Sequence, residues 1–159
     1  MAEDQAASAV EGAARMTMLH RQASLGYQVN HLARLLENRL RDQIAHTGVK
    51  PGQFAQMLAL YEEDNLTQHE LCERVGIDQS TMAHTLRRME RDGLISRTVD
   101  PDDRRRSRNK LTDHARELEP ELTELARQVN TRATTDIPAE EIEAFMATLA
   151  RIIADLERH

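Results

Sequence analysis

The chain of 159 residues contains one cysteine, no tryptophan, two phenylalanines and two tyrosines. The single cysteine, Cys72, excludes an internal disulfide and is typical of a reducing compartment. No apolar run approaches the ~18–20 residues that a membrane-spanning helix needs. The polar, alanine-rich start, with acids at Glu3, Asp4 and Glu11, lacks the composition of a secretory signal. These absences predict a cytoplasmic protein without a membrane partner.

The patterns that mark catalytic and metal-binding sites are also missing. The seven histidines show no tight ligand spacing, and Cys72 has no second thiol beside it, so we predict neither a metal site nor a cofactor. Glu62 and Glu63 are adjacent at a predicted helix end, where their side chains would diverge rather than form a catalytic pair. The sequence has no glycine-rich phosphate loop and no nucleophile motif, so the chain is predicted not to be an enzyme. Cys72 is interpreted as a small buried residue, with a redox role as the less favoured alternative.

Charge is distributed unevenly along the chain, although the net charge is −6. Residues 66–112 carry ten Lys and Arg against eight Asp and Glu, whereas residues 113–159 carry five against eleven. Residues 104–110 contain five basic side chains and no acid, and the turn-forming sequence Asp100-Pro101-Asp102-Asp103 precedes them. We interpret this segment as a β-hairpin whose positive tip binds the phosphate backbone of a nucleic acid. A solvated arginine-rich loop is the alternative.

Two short helices with defined ends precede this hairpin. Thr67 and Glu70 have the spacing of a capping box, and Gly76 ends that helix a few residues later. Asp78 is placed to cap the next helix, and Gly93 to supply the left-handed residue after its end. Two capped helices separated by residues 75–77 are typical of a helix-turn-helix.

Helical periodicity continues on both sides of this motif. Apolar residues recur every three or four positions from Leu25 to Leu40, and Pro51 is suited to the first turn of a second helix. After the hairpin, Thr112 begins a long helix that Pro120 is expected to bend or displace. The last helix has a wide apolar stripe, which needs a second surface to cover it. The stripe comprises Ile142, Phe145, Met146, Leu149, Ile152, Ile153 and Leu156.

The segment from Thr67 to Thr112 resembles the winged helix-turn-helix of the MarR family of transcription regulators. Its most specific parts are ERDGLI at residues 90–95, DRR at residues 103–105, and the Leu111-Thr112 pair at the spacing usual in the family. The resemblance extends to the helices on both sides, and the hairpin sequence is closest to the SlyA-like branch. It implies a mainly α-helical fold with a small β-hairpin wing and with N- and C-terminal dimerisation helices. The predicted boundaries are a disordered N-terminus over 1–16, a dimerisation helix over 17–48, the DNA-binding domain over 49–112, and dimerisation helices over 113–159.

In this family the second helix of the motif lies in the major groove, and the hairpin tip enters the adjacent minor groove. Hydroxyl, amide and guanidinium groups on that helix can bond phosphates or base edges. Met82, Leu86 and Met89 lie on the opposite face and are predicted to be core. DNA contacts are predicted for Thr67, Gln68, Gln79, Ser80, Thr81, His84, Thr85, Arg88, Asp103, Arg104, Arg105 and Arg106.

Some of these residues carry a more particular expectation. His84 occupies a position where many members of the family have arginine, so its contact is expected to be weaker or pH-sensitive; a solvent-facing histidine is the alternative. The resemblance implies that Arg105 enters the minor groove, where narrow A·T-rich segments concentrate negative potential, and that Asp103 orients it. The remaining wing arginines, Arg104, Arg106 and Arg108, are expected to contact phosphates or to stay solvated.

Many members of the family bind a small anionic or aromatic effector between the dimer helices and the DNA-binding lobe. Tyr27, His31, Met57 and Tyr61 are polar or polarizable residues near that expected junction, although ordinary packing is the favoured alternative for them. The sequence thus predicts a homodimer on pseudo-palindromic double-stranded DNA, acting as a repressor relieved by a small ligand. A ligand-independent or activating regulator remains open, and so does a helical protein-interaction module without DNA binding.

Overall fold

A computed structural model of the chain describes residues 21–158, so the predicted disordered segment 1–16 lies outside the described residues. The chain divides into two compact units, Met1–Asn38 and Arg39–His159, with the boundary inside the first helix. Seven α-helices and three short β-strands lie between residues 21 and 158. The helices are α1 (Leu25–Ile44), α2 (Pro51–Glu62), α3 (Gln68–Val75), α4 (Gln79–Arg91), α5 (Asp113–Glu117), α6 (Glu119–Ala133) and α7 (Ala139–Glu157), and the strands are β1 (Leu66–Thr67), β2 (Ile95–Val99) and β3 (Ser107–Leu111).

The described part of the first unit is a 3-10 turn, Arg21–Ala23, followed by the start of α1. Leu25, Val29 and Leu32 are exposed there, whereas Leu36 is half-buried. These residues belong to the predicted helical stripe, so the helix forms where the periodicity predicts it.

The core of the second unit lies between α2, α3, α4 and the sheet. Met57, Leu71, Met82 and Leu86 are completely buried there. Burying a side chain of this size contributes roughly 1.5–3 kcal/mol, so each of these residues stabilises the packing of the unit. The prediction that the apolar face of α4 is core is confirmed.

The helix ends form as the sequence predicts. Thr67 Oγ1 accepts from the Glu70 backbone N–H, and Glu70 Oε2 accepts from the Thr67 backbone N–H at 2.7 Å. Asp78 Oδ1 accepts from the Thr81 backbone N–H at 2.9 Å. Gly76 closes α3 with a φ of 72°, a conformation that glycine adopts without the steric cost of a Cβ atom. These caps fix α3 and α4 as a helix-turn-helix.

The hairpin is part of a three-stranded antiparallel sheet in the order β1-β3-β2. Strands β2 and β3 pair from Ile95 opposite Leu111 to Val99 opposite Ser107. The third strand, β1, pairs Leu66 with Asn109 and was not predicted. Two residues are too few to show the alternation that identifies a strand in a sequence.

The C-terminal part contains α5, α6 and α7. Thr112 caps α5, and Pro120 lies in the first turn of α6, so the predicted interruption of the long helix is confirmed. No residue of α7 is buried, although the helix is described throughout. The predicted fold class is confirmed. No described helix is both long enough and apolar enough to cross a membrane.

Candidate nucleic-acid interface

Helix α4 has one buried and one exposed face. Met82, Leu86 and Met89 anchor the buried face at zero exposure. The polar residues predicted to contact DNA lie away from the core. Gln79, Ser80, Thr81 and His84 are exposed, and Thr85 and Arg88 are half-buried.

A network of side chains joins the first turns of α3 and α4. Gln68 Nε2 donates to the Gln79 side-chain oxygen at 2.8 Å and to the Gln79 carbonyl at 3.1 Å. The Gln79 amide nitrogen lies 3.3 Å from His69 Nδ1. The predicted contacts Gln68 and Gln79 are therefore held together, and His69, which was not predicted, belongs to the same group. Thr67 is buried and uses its hydroxyl in the helix cap.

The loop from Asp100 to Arg106 forms the tip of the wing. The Asp100 backbone N–H donates to the Arg106 carbonyl, and the Arg106 backbone N–H donates to the Asp103 carbonyl, both at 2.9 Å. Asp100 Oδ1 also accepts from the Asp102 backbone N–H at 2.9 Å. These bonds close the loop. They leave Arg104, Arg105 and Arg106 exposed at its end.

Asp103 organises the tip, but its contacts differ in detail from the expected ones. Its Oδ1 accepts from the backbone N–H of Arg105 at 3.0 Å, and its Oδ2 lies 3.2 Å from Arg106 Nε. The carboxylate thus fixes the backbone of Arg105 and pairs with the side chain of Arg106. Asp103 and Arg106 are three positions apart, so the turn brings their side chains together. The family resemblance did not predict this ion pair.

Arg108, which was expected to contact a phosphate or to stay solvated, instead forms an ion pair within the protein. Its Nε lies 2.9 Å from Asp100 Oδ2, and the two side chains are 28 % and 4 % exposed. Its Nη1 donates to the Asn65 carbonyl at 3.1 Å, and Asn65 has a left-handed φ of 65°. The hydrogen bond from the Asp102 backbone N–H lowers the pKa of Asp100, and the charge of Arg108 lowers it further by a smaller amount. Arg108 therefore connects the base of the wing loop to the turn before β1.

A cleft of about 400 Å³ lies between the helix-turn-helix and the wing. Gln68, His69 and Gln79 line it from the helices, and Thr67 and Ser107 complete it. Its positive charge comes from the wing, where Arg97, Arg105 and Arg106 line it. Arg97 was not predicted, because it is separated in the sequence from the basic run. The cleft is polar and cationic, which suits a phosphate group.

Buried polar contacts outside this cleft fix the far end of α4. Gln53 is 2 % exposed, and its Nε2 donates to Asp92 Oδ2 at 2.8 Å, just after the last turn of α4. Its Oε1 accepts from the Lys50 backbone N–H at 3.0 Å. The hydrogen bond from Gln53 lowers the pKa of Asp92, and the bond from Arg91 lowers it further by a smaller amount. Gln53 thereby ties the start of α2 to the end of α4, a role that no local sequence signal indicates.

Two other predicted residues have structural contacts in the core of the second unit. Cys72 is buried, and burial raises the pKa of its thiol, which keeps it in the unreactive protonated form. Tyr61 donates from its hydroxyl to the Ala115 carbonyl at 2.7 Å, and burial, followed by the charge of Glu119, raises its pKa to about 12.

Residues 47–106, which span α2, α3, α4, β2 and most of the wing loop, match the model of the MarR family. The resemblance inferred from the sequence is confirmed, and the family is one of transcription regulators.

Solved structures of transcription regulators share the fold beyond the matched segment. The PcaV regulator of Streptomyces coelicolor, in complex with its natural ligand, is 27 % identical, with 87 % of this chain and 97 % of that chain covered and a TM-score of 0.77. The repressor CouR, bound to a 23-mer DNA duplex, is 26 % identical, with 86 % and 99 % covered and a TM-score of 0.75. The regulator SlyA is 20 % identical, with 82 % and 92 % covered and a TM-score of 0.77. At that identity SlyA shows the fold alone, and the assignment to a SlyA-like branch stays a prediction.

Proposed function

We propose that this chain is a dimeric, sequence-specific double-stranded DNA-binding transcription regulator that acts as a repressor relieved by a small ligand. The observation that carries the proposal is the two-faced helix α4. Met82 and Leu86 fix it from behind while Gln79, Ser80 and His84 face outward. A helix anchored in this way can enter a major groove without losing its core contacts. The basic wing beside it supplies the charge that binds phosphates.

The uncovered stripe of α7 supports a homodimer. Phe145 and Met146 are 48 % and 55 % exposed, and Ile153 and Leu156 are exposed on the same stripe. A second copy of the chain offers an identical stripe, so the two can cover each other about a two-fold axis. Two recognition helices related by that axis bind half-sites about one helical turn apart, ~34–36 Å. The operator is therefore expected to be pseudo-palindromic.

The repressor activity and the effector are inferred from the relatives. CouR is a repressor bound to DNA, and PcaV binds a natural ligand. Within the first unit, Tyr27 and His31 stack with their ring centroids 6.1 Å apart. A stacked pair of this kind suits a flat aromatic molecule. Met57 and Tyr61 belong to the other unit, where Met57 is completely buried and the Tyr61 hydroxyl donates to the Ala115 carbonyl. A role for either residue in binding an effector stays a prediction.

Fluorescence anisotropy with the DNA upstream of the coding region of this chain tests the proposal. We expect tighter binding than to a scrambled duplex of the same length, and a steep loss of affinity between ~50 and ~200 mM salt. Gln79→Ala should reduce the preference for the upstream DNA, because in the proposed complex α4 is the recognition helix and a side-chain amide on it can bond base edges. Arg132→Ala serves as the control, because it removes one positive charge from α6, which follows the helix-turn-helix and the wing in the sequence. Equal, salt-independent binding to both duplexes would contradict the proposal and would favour a protein-interaction module.

A further inference from the structure

The side chain of Gln79 is held at both ends of its amide. Its oxygen accepts from Gln68 Nε2 at 2.8 Å, and its nitrogen lies 3.3 Å from His69 Nδ1. An amide nitrogen can only donate, so His69 Nδ1 must accept. The imidazole is then neutral and carries its hydrogen on Nε2, which lies 3.5 Å from Glu73 Oε1.

Protonation of His69 breaks this arrangement. A protonated imidazole carries hydrogens on both ring nitrogens and has no acceptor left. The Gln79 amide nitrogen and His69 Nδ1 would then be two donors facing each other. Turning the Gln79 amide over would place its nitrogen against Gln68 Nε2, which is also a donor. The Gln79 nitrogen must therefore leave the contact with His69, while the His69–Glu73 contact gains an ion-pair component. The proton on His69 therefore decides whether the Gln79 amide nitrogen is held or released, while Gln68 still holds the oxygen.

The charges around His69 make this protonation sensitive to an anion. Glu73 is on the same helix, α4 contributes the neutral Gln79, and three arginines of the wing line the same cleft. A phosphate in the cleft would place negative charge near His69 and favour the imidazolium.

We propose that this cleft is a phosphate site for the DNA backbone, in which His69 takes up a proton as the phosphate enters and so frees the Gln79 amide nitrogen to contact DNA. The inference rests on the proposed function and adds to it a residue and a coupled proton. Histidine is suited to this role because its charge changes between about pH 5 and 8. Binding that takes up a proton strengthens as the pH falls.

DNA affinity measured between about pH 6 and about pH 8 at fixed ionic strength tests the coupling. For one linked proton, the affinity of the wild type should fall by up to about tenfold per pH unit. His69→Gln should remove most of this dependence, and His69→Lys should remove it while keeping the affinity that the wild type has at the acid end. His84→Gln measures the separate contribution of the other interface histidine. His114→Gln, on α5, should behave as the wild type.

Calorimetry in two buffers of different ionisation enthalpy counts the protons directly. We expect proton uptake with the wild type on DNA and a loss of that uptake with His69→Gln. A pH dependence that survives unchanged in His69→Gln, or an absence of proton uptake by a wild type that binds DNA, would overturn the inference. A wild type that does not bind DNA would instead contradict the proposed function. Inorganic phosphate in place of DNA separates the sources of the anion, because uptake with phosphate but not with DNA would overturn the assignment to the backbone.

Discussion

Arg108 and Asp100 form an ion pair at the base of the wing, with Arg108 Nε 2.9 Å from the Asp100 carboxylate. The same arginine donates to the carbonyl of Asn65, which is 43 positions away in the sequence. The wing loop and the turn before β1 are therefore joined through one side chain. This arrangement makes Arg108 a positioning residue for the wing rather than a free positive charge.

We expect Arg108→Ala to weaken DNA binding without removing a phosphate contact. Loss of the guanidinium leaves the largely buried Asp100 carboxylate without its partner, so the wing loop should loosen and the urea midpoint of unfolding should fall. The slope of log K against log salt should stay that of the wild type, because the loss of a phosphate contact would change it by about 0.9. Anisotropy titrations at several salt concentrations measure both quantities.

Lys110→Ala is the matched control for this prediction. Lys110 lies on the same strand, two residues further on and therefore on the same face, and its side chain is exposed. The Lys110→Ala substitution removes one positive charge from the wing and leaves the bond between Arg108 and Asp100 in place. If Lys110→Ala lowered the urea midpoint as much as Arg108→Ala, the positioning role of Arg108 would be refuted.

The features that were predicted from the sequence depend on residues close together in the chain. The Thr67–Glu70 capping box and the Asp78 cap each join residues three positions apart. Gly93, with a φ of 72°, ends α4 within the same turn. Such local chemistry is visible in the order of residues alone. The family resemblance then added the relation between the helices and the wing.

The features that were missed depend on partners far apart in the chain. Gln53 and Asp92 are 39 positions apart, and nothing near Gln53 in the sequence indicates that a glutamine is buried. Arg97 contributes to the cleft only because β2 pairs with β3 and turns its side chain toward the helices. His69 acquires a role only through Gln79. Tertiary folding decides these contacts, and propensity and spacing do not reveal them.

The carboxylate of Asp64 should make the stability of the fold depend on pH. Burial raises its pKa, but the bonds from the Leu111 backbone N–H at 2.9 Å and from Arg116 at 2.6 Å outweigh burial and bring it below its ordinary value of 3.8. A lowered folded-state pKa contributes stability that is present above the unfolded-state value and is lost as the pH falls through the folded-state value. Stability should therefore fall below about pH 4.

Asp64→Asn tests this prediction through urea unfolding at several pH values. At neutral pH we expect a loss of about 1–2 kcal/mol, because charge-assisted bonds are replaced by neutral ones. The decline in stability below about pH 4 should become shallower. Asp113→Asn is the control, because Asp113 pairs with the same arginine at 3.1 Å but is almost fully exposed. An unchanged acid limb in Asp64→Asn would contradict the assignment.

The apolar stripe of α7 should hold two chains together. Met146→Asp introduces a charge at a side chain that is exposed in the single chain, so the helix itself should still form. In a dimer the same charge would be buried without a partner, which is strongly unfavourable. Sedimentation at micromolar concentration should show a dimer for the wild type and an 18.1 kDa species for the variant.

Ala147→Asp is the control for the dimer prediction. It introduces the same charge at the next residue in the sequence, which lies on the face of α7 opposite the apolar stripe. We expect it to remain dimeric. A wild type that sediments only as the 18.1 kDa species would refute the dimer. Dissociation by both variants would show that α7 tolerates no charge and would remove the support for a specific interface.

Arg105 should distinguish a minor-groove contact from a phosphate contact. The closed wing loop leaves its side chain exposed, while Asp103 fixes its backbone N–H at 3.0 Å. Arg105→Ala should therefore leave folding and dimerisation intact and cost about 1–3 kcal/mol of binding free energy on an operator with A·T-rich flanks. The loss should shrink when the flanks are G·C, because the groove is then wider and its negative potential weaker. Arg88→Ala, in the recognition helix, should respond to changes in the central bases instead of the flanks. Affinities of both variants for both sets of flanks at one salt concentration decide between the roles, because an equal loss for Arg105→Ala on both would make it a phosphate contact only.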